Sequence, residues 1–159
     1  MVLETASLLR RRALLTVADN PMTLSWGSFG TLFGEPVCTL YIRPSRHTAT
    51  LLAATPRATL SFLPESAASD AAYAYCGAHS GRDGEKWTAA GLTPRVEDGV
   101  CRPAEAETVL FLRLLCRLPL TPDRFAEGEW EKVARRFFEN GDLHTLFLFR
   151  IEKEREYSK

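Results

Sequence analysis

The sequence has no apolar run close to the roughly 18 residues that a membrane-crossing helix requires. Its first stretch, Met1 to Val17, also lacks the unbroken apolar segment of a secretory leader, because Arg10, Arg11 and Arg12 interrupt it. The expectation is a cytoplasmic protein without a membrane partner. Excess charge of either sign is missing too: 20 Lys and Arg balance 20 Asp and Glu. Without a basic surplus to displace counterions from phosphates, a nucleic-acid partner is disfavoured. Cysteine is sparse, with Cys38, Cys76, Cys101 and Cys116 scattered and no CxxC pair, which argues against a zinc site and for free thiols. His47, His79 and His144 show no HExxH-type spacing, and no metal is expected. Spacing alone nominates no Ser/His/Asp set. A GxGxxG loop following a strand is also absent, so no resident dinucleotide fold is expected. There is no repeat, low-complexity tract or linker in the 159 residues, and residues 1–159 read as one domain large enough for a real core.

What is present is mostly strand. Pro36 to Arg43 alternates, with Cys38, Leu40 and Ile42 on one face and Thr39, Tyr41 and Arg43 on the other. A helix is predicted from about Arg46 to Ala54, N-capped by Ser45 and ended by Pro56. Ala58 to Leu63 alternates again, Leu60 and Phe62 inward, Thr59 and Ser61 outward. Ser66 to Tyr75 is Ala-rich and helix-favouring. Ser80-Gly81-Arg82-Asp83 has the spacing of a capping box for a helix reaching about Ala90, with Gly91 at its C′ position and Pro94 blocking continuation. Thr108 to Leu118 reads as a long strand with Leu110, Leu112, Leu114 and Cys116 on one face. Trp130, Val133, Ala134, Phe137 and Phe138 mark an amphipathic helix from about Gly128 to Glu139, closed by Asn140-Gly141, its aromatic stripe expected in the core. The last strand runs from Leu143 to about Glu152, buried on both faces near Leu146 to Phe149, and Lys153 to Lys159 is a charged tail expected to fray. Strands and helices do not alternate as βαβ units, so a small barrel with helices outside fits better than a doubly wound sheet.

Two segments could carry chemistry. Asn20-Pro21-Met22-Thr23-Leu24-Ser25-Trp26-Gly27-Ser28-Phe29-Gly30 mixes hydroxyls, glycines and aromatics, which suits close approach to a planar polar ligand; a hairpin with an aromatic staple would use the same residues. Arg43-Pro44-Ser45-Arg46-His47-Thr48 lies where a strand gives way to a helix, so free N–H groups, hydroxyls and guanidinium groups could hold a phosphate; an ordinary capped helix explains it as well. Ser80 to Asp83 could close over a ligand or simply cap a helix. Cys38 reads as a small buried apolar residue, not a nucleophile.

The run NPMTLSWGSFGTLFGEPVCTLYIRPSRHT, followed in order by ATLSFLPE, AYCGAHSGRD, the segment into AGLTP, and DLHTLFLFRIE, resembles the flavin reductase-like family of FMN-binding split barrels, which includes the flavoredoxins. The likeness spans about Asn20 to Glu152. It implies a mainly β fold, a Greek-key barrel of about six strands with peripheral helices, usually a homodimer with FMN near the subunit interface. Carried over by position, Asn20, Met22, Thr23, Ser25 and Trp26 would line the flavin and its ribityl chain. Arg43, Ser45, Arg46 and Thr48 would bind the phosphate. Ser80, Gly81, Arg82 and Asp83 would approach the isoalloxazine, from the same subunit or its partner. His144 falls where the family often carries a histidine. Two departures stand out: His47 replaces a frequent aromatic, and Phe149-Arg150 replaces a small Gly-Glu pair.

The resemblance implies an oxidoreductase, in which NAD(P)H reduces the flavin as a transient donor and electrons pass to a flavin, a metal complex or a protein. The alternative is a flavoredoxin-like carrier reduced by a partner protein. A barrel that has lost its flavin and a pyridoxamine-phosphate-oxidase-like role are more distant readings. Because the cofactor carries the chemistry, no acid or base side chain is required.

Overall fold

A computed structural model describes residues 12–138 and 141–157. Met1 to Arg11, Glu139, Asn140, Ser158 and Lys159 lie outside the described residues, and with them most of the arginine-interrupted first stretch, the expected Asn140 helix stop and the end of the expected frayed tail. The elements in chain order are β1 (Ala13–Val17), β2 (Asn20–Leu24), β3 (Gly27–Leu32), β4 (Glu35–Ile42), α1 (His47–Ala54), β5 (Arg57–Phe62), α2 (Ala67–Ala78), β6 (Pro94–Glu97), β7 (Val100–Pro103), β8 (Thr108–Pro119), α3 (Glu129–Phe137) and β9 (Thr145–Glu156). Short 3-10 turns occupy Gly81–Asp83 and Pro122–Arg124.

Seven strands form one antiparallel sheet in the order β2-β1-β5-β8-β9-β4-β3. The resemblance implies about six strands; the sheet holds seven, among them β1, just after the arginine-rich start, which pairs with both β2 and β5. Chain length dictates the curl of this sheet. Laid flat, seven strands would hold their edges about 29 Å apart at ordinary strand spacing. Yet β2 and β3 are the two edges, and only Ser25 and Trp26 join them. Three Cα steps reach at most about 11 Å, so the sheet must roll until its edges nearly meet at that corner. They approach without pairing, which leaves a barrel split along one side. The two-residue hairpin between β3 and β4 needs left-handed backbone at Phe33 (φ 55°) and Gly34 (φ 73°). Register shifts in the β8–β9 ladder bend the two longest strands around the barrel.

The interior is filled from every wall: Leu15, Met22, Leu40, Ile42, Leu60, Leu110, Leu112 and Phe149 belong to one buried cluster, to which α1 contributes Leu52. Each such side chain contributes roughly 1.5–3 kcal/mol by leaving water. Phe149, in place of a small residue, is wholly buried, and Arg150 forms an ion pair with Glu35 across the β4–β9 ladder. Cys38 is wholly buried, and burial pushes its thiol up to about 12. All four cysteines are unpaired. A second buried cluster lies outside the barrel, where Leu14, Val109 and Phe111 pack against Tyr73 and Cys76 of α2 and against Trp87.

Several expectations change. Thr59 and Ser61 are not outward to solvent; both are wholly buried, because the second cluster covers the outer face of β5. Ser45 does not cap α1: Arg46 takes the N-cap position without a side-chain bond, and the Ser45 hydroxyl donates to Asp142 instead. The expected helix after Ser80 is a single 3-10 turn followed by turns, although Gly91 does take left-handed backbone (φ 68°). Pro94 begins the β6–β7 hairpin, which the sequence reading did not contain. Cys116 is exposed, since the shift between Leu114 and Cys116 breaks the alternation of β8. Lys153 to Glu156 do not fray; they extend β9 along Thr108 to Phe111, and Glu97 draws in Arg155 and Lys153. No residue of α3 is buried, and its Trp130 and Phe137 are only half-buried outside both clusters.

Candidate functional site

The split in the barrel is the cleft. Where β2 ends and β4 ends, Met22, Thr23, Ser25, Trp26, Arg43 and Arg46 line its first part, together with Tyr41 and His144. Its second part shares Met22, Arg43 and Arg46 and continues past Asn20, Ser45, Thr48, Ser80, Gly81 and Arg82 to His79 and Lys86. Twelve of the thirteen residues named from the sequence therefore meet along one continuous surface. The exception is Asp83, which is exposed and lines neither part. Ser80 to Arg82 reach the arm within this one chain: Arg82 donates to the Ser45 carbonyl (2.9 Å) and to Thr50 Oγ1 (3.1 Å).

The floor of the second part is built tightly. Asn20 is buried in β2, and its Nδ2 donates to the buried Thr48 Oγ1 at 3.0 Å. Gly81 packs directly onto that amide; a Cβ there would fall 2.1 Å from Asn20 Oδ1 and 2.9 Å from His47 Cδ2. Only glycine permits this approach. Two buried polar atoms on this floor, Asn20 Oδ1 and His47 Nδ1, have no partner among the described residues. Buried polar groups rarely go unpaired, and here both border a cavity.

Lys86, which the sequence reading passed over, closes the far end. It is 4% exposed, and its ammonium donates to the carbonyls of Cys76 (3.3 Å) and His79 (3.2 Å), with no carboxylate beside it among the described residues. Burial lowers its pKa, and the Arg46 charge adds to that. A buried lysine bordering a cavity is an electrostatic demand for an anion. The sequence hid it because a lysine beside glycine and glutamate reads as surface. With Arg46 and Arg82 it makes the second part strongly cationic.

Not every named side chain is at liberty. Thr23 Oγ1 donates to the Tyr73 carbonyl at 2.6 Å, so its proton is committed to α2. Arg43 donates to the carbonyls of Phe137 (3.0 Å) and Asp142 (3.1 Å), tying the end of α3 to the cleft wall. Arg46 reaches the Gly77 carbonyl at 3.2 Å. His144 stands against the Trp26 ring, centroids 5.0 Å apart, and against Phe138 at 5.5 Å. Burial and the nearby Arg43 push its pKa down to about 4, Asp142 opposing. Tyr41, placed by alternation on the face away from the core, becomes cleft wall for that reason.

The residues fit a planar anionic cofactor. A phosphate would meet Lys86, Arg46, Arg82 and the hydroxyl of Ser80, and that of Ser45 once it turns from Asp142, while the ring system would lie toward Trp26 and the end of β2.

Comparison with known proteins bears on the family and the fold. The family model described as flavin reductase like domain matches residues 8–156. Among solved structures, an FMN-binding protein from Thermus thermophilus superposes with a TM-score of 0.70 at 23% identity, covering 93% of this chain and 72% of that one. A flavoredoxin from Methanosarcina acetivorans gives 0.70 at 16% identity, over 93% and 69%. An NADH:FAD oxidoreductase from Streptomyces globisporus gives 0.66 at 16%, over 92% and 75%. No match is found among the curated proteins.

Proposed function

This chain belongs to the flavin reductase like domain family, and we propose that it is an FMN-binding oxidoreductase, reduced by NAD(P)H, that passes electrons to a flavin, a metal complex or a protein. The observation that carries this reading is the convergence at the split of a buried unpaired lysine, two guanidinium groups and two unpartnered polar atoms. Bound FMN would supply the redox chemistry, accepting a hydride at its isoalloxazine ring and releasing electrons singly or in pairs.

The chain's own residues bind and orient. Lys86, Arg46 and Arg82, with Ser45, Ser80 and Thr48, hold the phosphate end. Asn20, fixed by Thr48 and backed by Gly81, offers its amide to the ribityl chain. Met22, Thr23, Ser25 and Trp26 border the ring. His144 is neutral at physiological pH, so it can hydrogen-bond near the ring without adding charge. Arg43 holds the wall and faces both parts of the cleft. We propose a cytoplasmic homodimer. Among the described residues no helix is long and apolar enough to cross a membrane.

A spectrum of the purified protein tests this. We expect a flavin band, or its appearance on adding FMN, and anaerobic bleaching by NADH or NADPH. Protein that neither carries nor takes up FMN ends the proposal. Lys86→Met keeps the length of the side chain and removes a buried charge, so folding should be preserved or improved. FMN affinity should nevertheless fall at least tenfold in a fluorescence titration. A second reading is supported by the likeness to a flavoredoxin: FMN occupancy without NAD(P)H bleaching, but with reduction by a ferredoxin-type donor, would establish the carrier role instead.

A further inference from the structure

Beside the cationic cleft lies a groove of opposite character. Leu120, Phe125, Val133, Phe137 and Phe138 form its walls, and Trp26 and His144 are shared with the cleft. Its rings are ordered against one another: Trp26 meets Phe137 edge-on at 5.2 Å, and Trp130 stacks on Phe138 at 6.2 Å. Trp26 is 40% exposed at the junction of the two spaces. Arg43 and Arg136 lie 5.1 and 5.0 Å from the ring centres of Phe138 and Phe137, but neither lines the groove.

A half-buried run of aromatics against an open groove is costly to leave in water. Neither buried cluster of the fold includes it. Three features say what kind of molecule covers it. The groove opens directly into the cleft at Trp26 and His144, so its occupant touches whatever the cleft holds. It is open and ring-lined, a surface on which small flat molecules can stack. Charged side chains are gathered in the cleft, and among the described residues none lines the groove, so a phosphorylated or sulfonated compound would lose its hydration without compensation there.

We infer that this groove is a binding site for an uncharged aromatic or quinonoid ring compound, seated against Trp26 and the apolar face of α3 beside the cleft. That such a compound is a reactant rests on the flavin reading of the cleft; the groove's preference for neutral rings does not. Its polar contact is His144, whose imidazole can donate to or accept from a ring oxygen.

Calorimetric titration with 2-naphthol and with naphthalene-2-sulfonate, on the full chain with and without saturating FMN, tests the inference. The two probes share a ring and differ in charge. The neutral probe should bind at least tenfold more tightly than the sulfonate. Val133→Arg places a cation in the groove and should reverse or abolish that preference. FMN affinity, titrated separately, should be unchanged in this variant, because Val133 does not line the cleft. Should Val133→Arg disturb α3, Leu120→Lys puts a charge on another wall. Equal affinity for the two probes, or no binding of either, overturns the inference. So does a dimer, seen by sedimentation, that excludes the neutral probe and dissociates in the Val133→Arg variant, since a second copy would then be the occupant. Neutral-ring binding in a protein that ignores FMN would leave the groove assigned and remove the flavin.

Discussion

Helices α1 and α3 are almost equal in length, eight and nine residues, and both flank the cleft, yet they are held in opposite ways. Helix α1 is apolar nearly all round and has no strong apolar face. It is nonetheless anchored, with Leu52 in the barrel core and Thr48 bonded to Asn20. Helix α3 has a sharp apolar face and buries none of it. Its attachment is a few rings and one bond from Arg43 to the Phe137 carbonyl, the second Arg43 bond going to Asp142 beyond the helix. Amphipathic spacing therefore identifies which face is apolar, not what covers it. At α1 the barrel covers it; at α3 a groove is left open.

The contrast predicts where substitutions hurt. The largest effect should come on the α1 side, from Gly81→Ala. The added methyl group collides with the Asn20 amide and the His47 ring, and β2 and α1 hold both neighbours in place. Overpacking of this kind costs about 1–3 kcal/mol. It should lower the thermal midpoint and weaken FMN binding together. A variant with unchanged stability and unchanged FMN affinity would show that the floor of the cleft yields, and the contrast between the two helices would lose its basis.

Much of this was legible in the sequence. Alternation in Pro36 to Arg43 gave the inward set Cys38, Leu40 and Ile42, because a strand with one face in a core must place its apolar residues at every second position. The two halves of the cleft were each ambiguous as residues: the Asn20 segment could have been a hairpin and the Arg43 arm a capped helix. Their order along the chain, by resemblance to a family, joined them. What could not be read was long-range covering. Thr59 and Ser61 are polar and wholly buried because the β6–β7 hairpin and the second cluster pack outside β5, a fact no local pattern carries. Lys86 was missed for the same reason: its burial depends on carbonyls from Cys76 and His79, contributed by the end of another element.

An intermediate effect should appear in pH dependence on the α3 side. His144 has a pKa near 4 in the fold against an ordinary 6.5, so the unfolded chain binds the proton more readily between those values. Stability should therefore fall as pH drops from about 6.5 toward 4, and be unaffected by this group above that window. His144→Gln cannot titrate and should flatten that part of the profile in denaturant unfolding at stepped pH. The change should be smaller than the raw shift suggests, since the ring is partly open to solvent. An unchanged slope would mean that other groups govern acid sensitivity and that Trp26 and Phe138 do not desolvate the imidazole.

The smallest global effect should follow Arg43→Gln, and it is the most discriminating. Removing the guanidinium takes away the bonds to the Phe137 and Asp142 carbonyls. On the α1 side the loss of a comparable pair would disturb buried residues. On the α3 side the helix itself buries no residue and only Phe138, just past its end, is buried beneath the guanidinium, so the thermal midpoint should move little. The effect should instead be local: amide exchange in Glu129 to Phe137 should accelerate at least tenfold while β4 and β5 remain protected. Because Arg43 also faces the cleft, FMN affinity should weaken in the same variant, less than in Lys86→Met, whose charge is the buried one. Exchange that accelerates equally in α1 and α3 would erase the difference between the two helices; exchange confined to α3 would establish that this flank is attached independently of the barrel and free to adjust to what enters the groove.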